Sequence, residues 1–306
     1  MIEIFLRIVP FFLLIGTGYG ATRSGILPLE AVAHLTKFVF YFALSAMLFG
    51  FASTLEFGEI FDARLALAYL IPTAALYLLV TLVALRRGTG FAEAAVEAQC
   101  GVIGNVGFLG LPMLVILLGP QAAAPIILML SIDLIVFGSL FVAVIVGARE
   151  GGRGLQIVSR VLGGLLRNPM IMSIAIGLLW SYFALPVPGP IETYLDLLGR
   201  TATPCALFVI GASLAGKSAE RLSVAAWLSA VKLILHPLAI AVSVIAFGLR
   251  PEILAIAVAN AAMPVAGNIY IVAQHYRVAP QRASSAILIS TVLSIVTLSV
   301  AIAIVS

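Results

Sequence analysis

The sequence predicts an all-α membrane protein of ten transmembrane helices, folded as two inverted five-helix repeats in which the fourth and ninth helices are broken. Three observations predict it: a charge content too low for a surface in water, ten apolar runs of membrane-crossing length, and like residues that recur at one fixed offset. Of 306 residues, 62% are hydrophobic and 10% charged, against roughly 25% charged in soluble domains. That composition excludes a nucleic-acid binder, a disordered regulator and a cytosolic enzyme, and it makes the lipid bilayer the first partner. The net charge of +4 is a matter of topology, because Lys and Arg collect in cytoplasmic loops. Cys100 and Cys205 lie in apolar runs and offer neither a disulfide framework nor metal-ligand spacing. No metal and no cofactor is expected.

A helix that crosses ~30 Å of hydrocarbon needs ~20 mostly apolar residues. The first such run is 4–22. It has one Arg and one Glu at its start and no small-residue cleavage site before Arg23, so it reads as a membrane helix rather than a leader. Runs at 33–54, 64–85, 93–118 and 122–147 complete a first half. The Gly/Arg-rich stretch 147–167 is the longest connection, and the second half follows as 168–185, 193–215, 222–248, 251–276 and 282–305. The domain boundary is placed between residues 150 and 151.

The connections from first to second run, third to fourth and so on hold twelve basic residues: Arg23, Lys37, Arg86, Arg87, Arg149, Arg153, Arg160, Arg167, Lys217, Arg221, Arg277 and Arg282. The other side holds four, Arg7, Arg64, Arg200 and Arg250, and Lys232 falls inside a run. The positive-inside rule puts both termini outside the cytoplasm and 147–167 within it.

At an offset of 159, Pro10 falls on Pro169, Gly18 on Gly177 and Glu93 on Glu252, while residues 45–49 fall on 204–208 with Leu and Phe shared. Five is odd, so the second half enters the membrane from the opposite side. Inverted halves of this kind are a mark of carriers, whose substrate sits near the midplane at discontinuous helices. The fourth run reads Gly101-Val-Ile-Gly-Asn-Val-Gly-Phe-Leu-Gly-Leu-Pro112, and the ninth Asn260-Ala-Ala-Met-Pro-Val-Ala-Gly-Asn-Ile269. Glycine and proline at such density break a helical ladder, and the bared backbone must find protein, water or ligand. The half-helix N-termini that result favour an anion. Close packing of the small-xxx-small kind is the alternative for the glycines taken singly. Gly104, Asn105, Gly107, Pro112, Pro264, Gly267 and Asn268 are therefore the candidate substrate-binding residues.

These residues also carry a resemblance. Gly104-Asn-Val-Gly-Phe-Leu-Gly-Leu-Pro-Met113, with Met263-Pro264 and Ala273-Gln-His-Tyr276, resembles the auxin efflux carrier family, including its bacterial members and the plant carriers; Gly18-Tyr19 and Gly25-Ile-Leu-Pro28 look similar too. The resemblance covers essentially the whole chain. It implies fourth and ninth helices that cross at their breaks, and a scaffold of the first, second, sixth and seventh helices. It implies a moving transport domain made of the third to fifth and eighth to tenth, working as an elevator. It further implies a small organic anion as substrate, a homodimer and a cell membrane location, the inner membrane for a bacterial protein. This chain departs from the plant pattern: Gly104 stands where Pro precedes the crossover Asn, Ser45 where Pro is usual, and a connection of about twenty residues replaces a long loop. The plant substrate therefore does not carry over, and a small carboxylate is the better reading.

Ionisable residues at membrane depth default to functional hypotheses. Asp133 is a candidate for binding H⁺ or Na⁺, or for pairing with a basic residue. Lys232 and His236 are four apart and share a helix face. Lys232 either neutralises a substrate carboxylate or pairs with Asp133, and His236 reads as a hydrogen-bonded structural histidine before a proton relay. Glu97 and Gln99 face a watery cavity, or Glu97 sits at the interface; Asp196 and Arg200 form a helix salt bridge, and Gln274, His275 and Tyr276 are interfacial.

Three motif matches fail on context. Gly211-Ala-Ser-Leu-Ala-Gly-Lys-Ser218 fits the P-loop pattern but ends an apolar helix, without the strand and sheet a phosphate cradle needs. Thr17-Gly-Tyr-Gly20 echoes a potassium filter, which requires a re-entrant loop. Gly104, Gly107 and Gly110 lack the spacing and βαβ unit of a dinucleotide site. The function predicted is a secondary or potential-driven carrier of a small mono- or dicarboxylate. The alternatives are a ten-helix channel or receptor and, without an H-E-x-x-H, G-x-S-x-G or paired-aspartate motif, an intramembrane enzyme.

Overall fold

The computed structural model describes residues 2–54, 62–150, 154–216 and 222–305. Arg153, Lys217, Ser218 and Arg221, and with them part of the boundary at 150/151 and the end of the P-loop match, lie outside the described residues. Within them the secondary structure is all helical. The helices are α1 Ile2–Arg23, α2 Leu29–Thr54, α3 Ala63–Arg86, α4 Phe91–Val102, α5 Val106–Leu118, α6 Pro120–Ala148, α7 Gly154–Arg167 and α8 Pro169–Tyr182. They continue as α9 Gly189–Leu214, α10 Leu222–Ala246, α11 Pro251–Ala261, α12 Asn268–His275 and α13 Pro280–Val305.

Six of these, α2, α3, α6, α9, α10 and α13, are long and apolar enough to cross a membrane, and α5 and α11 are shorter apolar helices. Local chemistry sets the boundaries. Asp62 caps α3 by accepting from the Arg64 and Leu65 amides at 2.8 and 3.2 Å, and Asn168 caps α8 through Met170 and Ile171. Each cap satisfies donors that a helix start leaves unpaired. The outer faces are apolar: on α3, Leu67, Ile71, Leu78 and Leu82 are exposed, while Tyr69, Thr73 and Tyr77 are buried. Such a face belongs in lipid.

One expectation is corrected. The connection 147–167 contains helix α7, which meets α8 at a 70° bend. Val158, Val161, Leu162, Leu165 and Leu166 recur at helical spacing, and this periodicity outweighs Gly163 and Gly164. Val158, Leu162 and Leu166 remain exposed, as on a helix lying along a lipid surface.

Two pairs of helices pack closely enough to need glycine. A Cβ on Gly18 of α1 would stand 1.9 Å from the Phe208 carbonyl oxygen of α9, and one on Gly211 would stand 1.7 Å from that of Ile15. A Cβ on Gly177 of α8 would stand 2.7 Å from the Ala52 Cβ of α2 and 3.0 Å from the Phe49 carbonyl oxygen. Gly18 and Gly177, Phe208 and Phe49, and Gly211 and Ala52 all differ by 159 in number. The contact of α1 with α9 is thus repeated, position for position, by α8 with α2.

Candidate functional site

Helix α4 ends at Val102 and the chain leaves it in extended form, α11 ends at Ala261 and the chain leaves it through a turn at 262–263, and the two meet across a short antiparallel bridge between Gly104 and Val265. The Asn105 amide donates to the Pro264 carbonyl at 2.7 Å and the Ala266 amide to the Ile103 carbonyl at 3.1 Å. The Val265 amide donates to Ser290 Oγ of α13 at 3.0 Å. Each break thereby satisfies the other's backbone, as a low-dielectric interior demands. A Cβ on Gly104 would lie 3.1 Å from Met263 Cβ and 3.2 Å from Lys232 Nζ, so glycine admits both strands and the ammonium.

Prolines mark a second kind of irregularity. A π turn at Val106–Gly110 is followed two residues on by Pro112, and one at Val231–Leu235 by Pro237. Proline lacks the amide that continues the ladder and presses on the carbonyl four residues back; a widened turn relieves both. Asp133 opens a further π turn, Asp133–Phe137. Both charges at depth therefore sit in π turns, which often occur at functional sites.

Behind the crossing lies a buried polar chain. Lys232 Nζ donates to the Ala261 carbonyl that ends α11 and to His236 Nδ1, 3.0 Å away. Thr73 Oγ1 donates to the Tyr69 carbonyl at 2.6 Å and lies 3.1 Å from His236 Nε2. A hydroxyl has one proton to give, so this network assigns the imidazole proton to Nε2 and leaves Nδ1 to accept from Lys232. Tyr69 OH donates to Asp133 Oδ1 at 2.9 Å, and Asp133 Oδ2 is buried without a hydrogen-bond partner. Asp133 and Lys232 form no direct ion pair, which removes the simple pairing that the sequence left open. His236 is the hydrogen-bonded residue expected.

On the other side of the crossing is a cavity of about 220 Å³. Its polar lining is Gln99 of α4, Ser139 of α6, Asn168 before α8 and Asn268, the first residue of α12. Gln99 Oε1 and Ser139 Oγ are buried without hydrogen-bond partners. Val161, Gly164 and Leu165 of α7 close one wall. Gly267 stands in open space and Asn268 is exposed. The remaining predicted residues, Gly104, Asn105, Gly107, Pro112 and Pro264, are buried and do not line this cavity. Of the seven, the cavity brings in Asn268, with Gly267 beside it.

Glu97 does not face the watery cavity that was one of its two expected settings. It is fully buried and takes Arg282 Nη1 at 2.7 Å and the Arg87 guanidinium, while Arg282 also meets Glu93 at 2.9 Å. The cluster ties the start of α4 to the start of α13. Asp196 and Arg200 form the expected helix pair, and Gln274 and His275 are exposed. Tyr69, Thr73, Ser139, Asn168 and Ser290 were not singled out from sequence. Ser and Thr in apolar helices commonly bond their own backbone, so composition alone does not mark them.

A helical membrane protein with paired broken helices and a polar cavity at one half-helix start invites comparison with carriers. A family model described as "Membrane transport protein" matches residues 3–302. The chain belongs to this family, that of the auxin efflux carriers. A Rhizobium meliloti (strain 1021) protein named "Putative malonate transporter" is 31% identical over 98% of this chain and 95% of its own length. Auxin efflux carrier component 3 of Arabidopsis thaliana is 30% identical over 43% of this chain and 22% of its own, and component 5 is 27% identical over 46% and 42%. The chain thus spans less than half the length of these plant carriers, and nearly all of the Rhizobium protein.

Proposed function

We propose that this membrane transporter is a secondary or potential-driven carrier of a small mono- or dicarboxylate, working by elevator-type alternating access. The observation that carries the reading is the cavity at the start of α12. Three features favour an anion there: the amides of the first turn, the positive end of the helix dipole, and neutral polar groups from Gln99, Ser139, Asn168 and Asn268. No fixed cation lines the cavity among the described residues, so affinity rests on dipoles and amides, which suits a solute that must be released again. The name of the Rhizobium relative makes malonate the first solute to test.

The reading counts ten spans: α1, α2, α3, α4 with α5, α6, then α8, α9, α10, α11 with α12, and α13. The matched glycine contacts of α1 with α9 and α8 with α2 support two inverted repeats and a scaffold of these four helices. Helices α3 to α6 and α10 to α13 would move as one body, held by the crossing and the Glu97–Arg282 cluster. The cavity borders α7, in the segment assigned to the cytoplasm, so this conformation would receive solute from inside. Homodimerisation and inner-membrane placement are part of the proposal and rest on the family resemblance alone.

Asp133, Lys232 and His236 are the residues proposed for coupling, with H⁺ or Na⁺ as the candidate ions. Uptake of malonate, succinate, malate and acetate into proteoliposomes tests the reading. Asn105→Ala and Asn268→Ala are expected to lower transport of whichever acid the parent moves; unchanged rates in both would overturn the site. Under proton coupling, Asp133→Asn flattens the pH profile of transport, and unaltered kinetics would remove Asp133 from the mechanism.

A further inference from the structure

We infer that Lys232 is a built-in cation: its ammonium occupies the place where the crossing would otherwise hold a free metal ion, so that neither folding nor transport requires Na⁺. Two helices, α4 and α11, end at the crossing with their carbonyl ends inside the protein. Each such end is equivalent to about half a negative charge. In carriers with a coupling cation, unwound carbonyls and half-helix C-terminal ends are what coordinate it. Here a side chain from a third helix, α10, fills that role. Lys232 is 1% exposed, donates to the last carbonyl of α11, and stands beside Gly104 in the chain leaving α4. One ammonium thus meets the negative end of α11 and lies against the chain that leaves α4.

Three further features fit a tethered ion. The π turn at Val231–Leu235, which precedes Pro237, displaces the helix locally around Lys232. His236 Nδ1 holds the ammonium from below, and its tautomer is fixed by Thr73. The absence of a side chain at Gly104 leaves room that even a methyl group would narrow to 3.2 Å. Asp133, buried nearby with one unpartnered oxygen, supplies a compensating negative charge without binding Lys232 directly. A lysine cannot leave the crossing, so it holds the half-helices together through every step of a transport cycle; of the two candidate coupling ions it takes the place of Na⁺ and leaves H⁺ on Asp133.

The inference concerns the crossing and not the solute, and thermal unfolding of the purified protein tests it without any substrate. Wild-type protein is expected to unfold at the same temperature in choline chloride and in sodium chloride of equal ionic strength. Lys232→Ala leaves the carbonyl end of α11 and Asp133 without a cation and is expected to unfold about 10 °C lower in choline. Sodium or methylammonium, small enough to enter the space vacated, is expected to restore most of that loss, whereas choline is too large. Saturable stabilisation of the wild type by Na⁺ would overturn the inference, as would a Lys232→Ala protein indifferent to small cations. If Lys232→Ala does not fold, the wild-type comparison still decides, and Gly104→Ala, which crowds the ammonium, is expected to lower stability equally in both salts. Should the carboxylate reading fail, these melting temperatures would be unaffected.

Discussion

Two half-helices begin at the crossing, and they differ in what stands in front of them. At the start of α5, Asn105 is buried and a Cβ on Gly107 would come within 2.4 Å of Met170 Cε. Phe108 stacks on Phe40 of α2, with ring centroids 6.2 Å apart and planes 5° from parallel. At the start of α12, Gly267 has nothing within 4 Å of where its Cβ would be, and Asn268 is exposed on the cavity. Phe108 and Gly267 are 159 apart, equivalent positions in the two halves. An aromatic side chain stands at the α5 start where glycine leaves the α12 start open. Under alternating access the inequality belongs to this conformation, and the opposite conformation would uncover α5 and bury α12.

The strongest way to break the comparison is to give α12 the side chain of α5. Gly267→Phe is expected to abolish transport in proteoliposomes while leaving the melting temperature nearly unchanged, since the ring enters open space; normal transport would sink the assignment of the cavity. Next in size is Asn268→Asp, which puts a fixed negative charge at the helix start where the solute carboxylate would bind. About a tenfold rise in half-saturation concentration is expected, equivalent to roughly 1.4 kcal/mol. Phe108→Ala removes an aromatic contact with Phe40 worth about 0.5–1.5 kcal/mol beyond its buried area, so a lower melting temperature is expected, and faster alkylation by a small thiol reagent when it is combined with Asn105→Cys. The smallest effect belongs to Gly107→Ala. Its methyl group meets only the mobile end of Met170, and a change of less than about 1 kcal/mol in unfolding is expected.

Much of this was legible from residue types. The breaks in the fourth and ninth runs lie where glycine, asparagine and proline collect, and the structure interrupts the helices at 103–105 and 262–267. Gly18 and Gly177, aligned by the offset of 159, turn out to stand in matched close contacts, because glycine is forced where backbones touch. What stayed hidden depends on distance across the fold. Nothing local distinguishes Asn105, which is buried, from Asn268, which is open; the difference is made by what packs around each from elsewhere in the chain. The π turn at Val231–Leu235 had a signal in Pro237, whereas the one at Asp133–Phe137 has no proline to announce it. Helix α7 was concealed by its glycines, although its apolar spacing was present. The Glu97 cluster joins residues 87, 93, 97 and 282, and no sequence spacing foretells a contact between such distant elements.

The central claim is that the two half-helix starts open to opposite sides of the membrane in turn. The most direct test replaces Cys100 and Cys205 with Ala, then introduces Asn268→Cys or Phe108→Cys singly in oriented vesicles, and measures modification by a membrane-impermeant thiol reagent from each side. The account predicts that Asn268→Cys reacts from the cytoplasmic side and Phe108→Cys from the opposite side, and that a saturating transported acid shifts the two reactivities in opposite directions. Reaction of both positions from the same side, or a shift of both in the same direction, would contradict it.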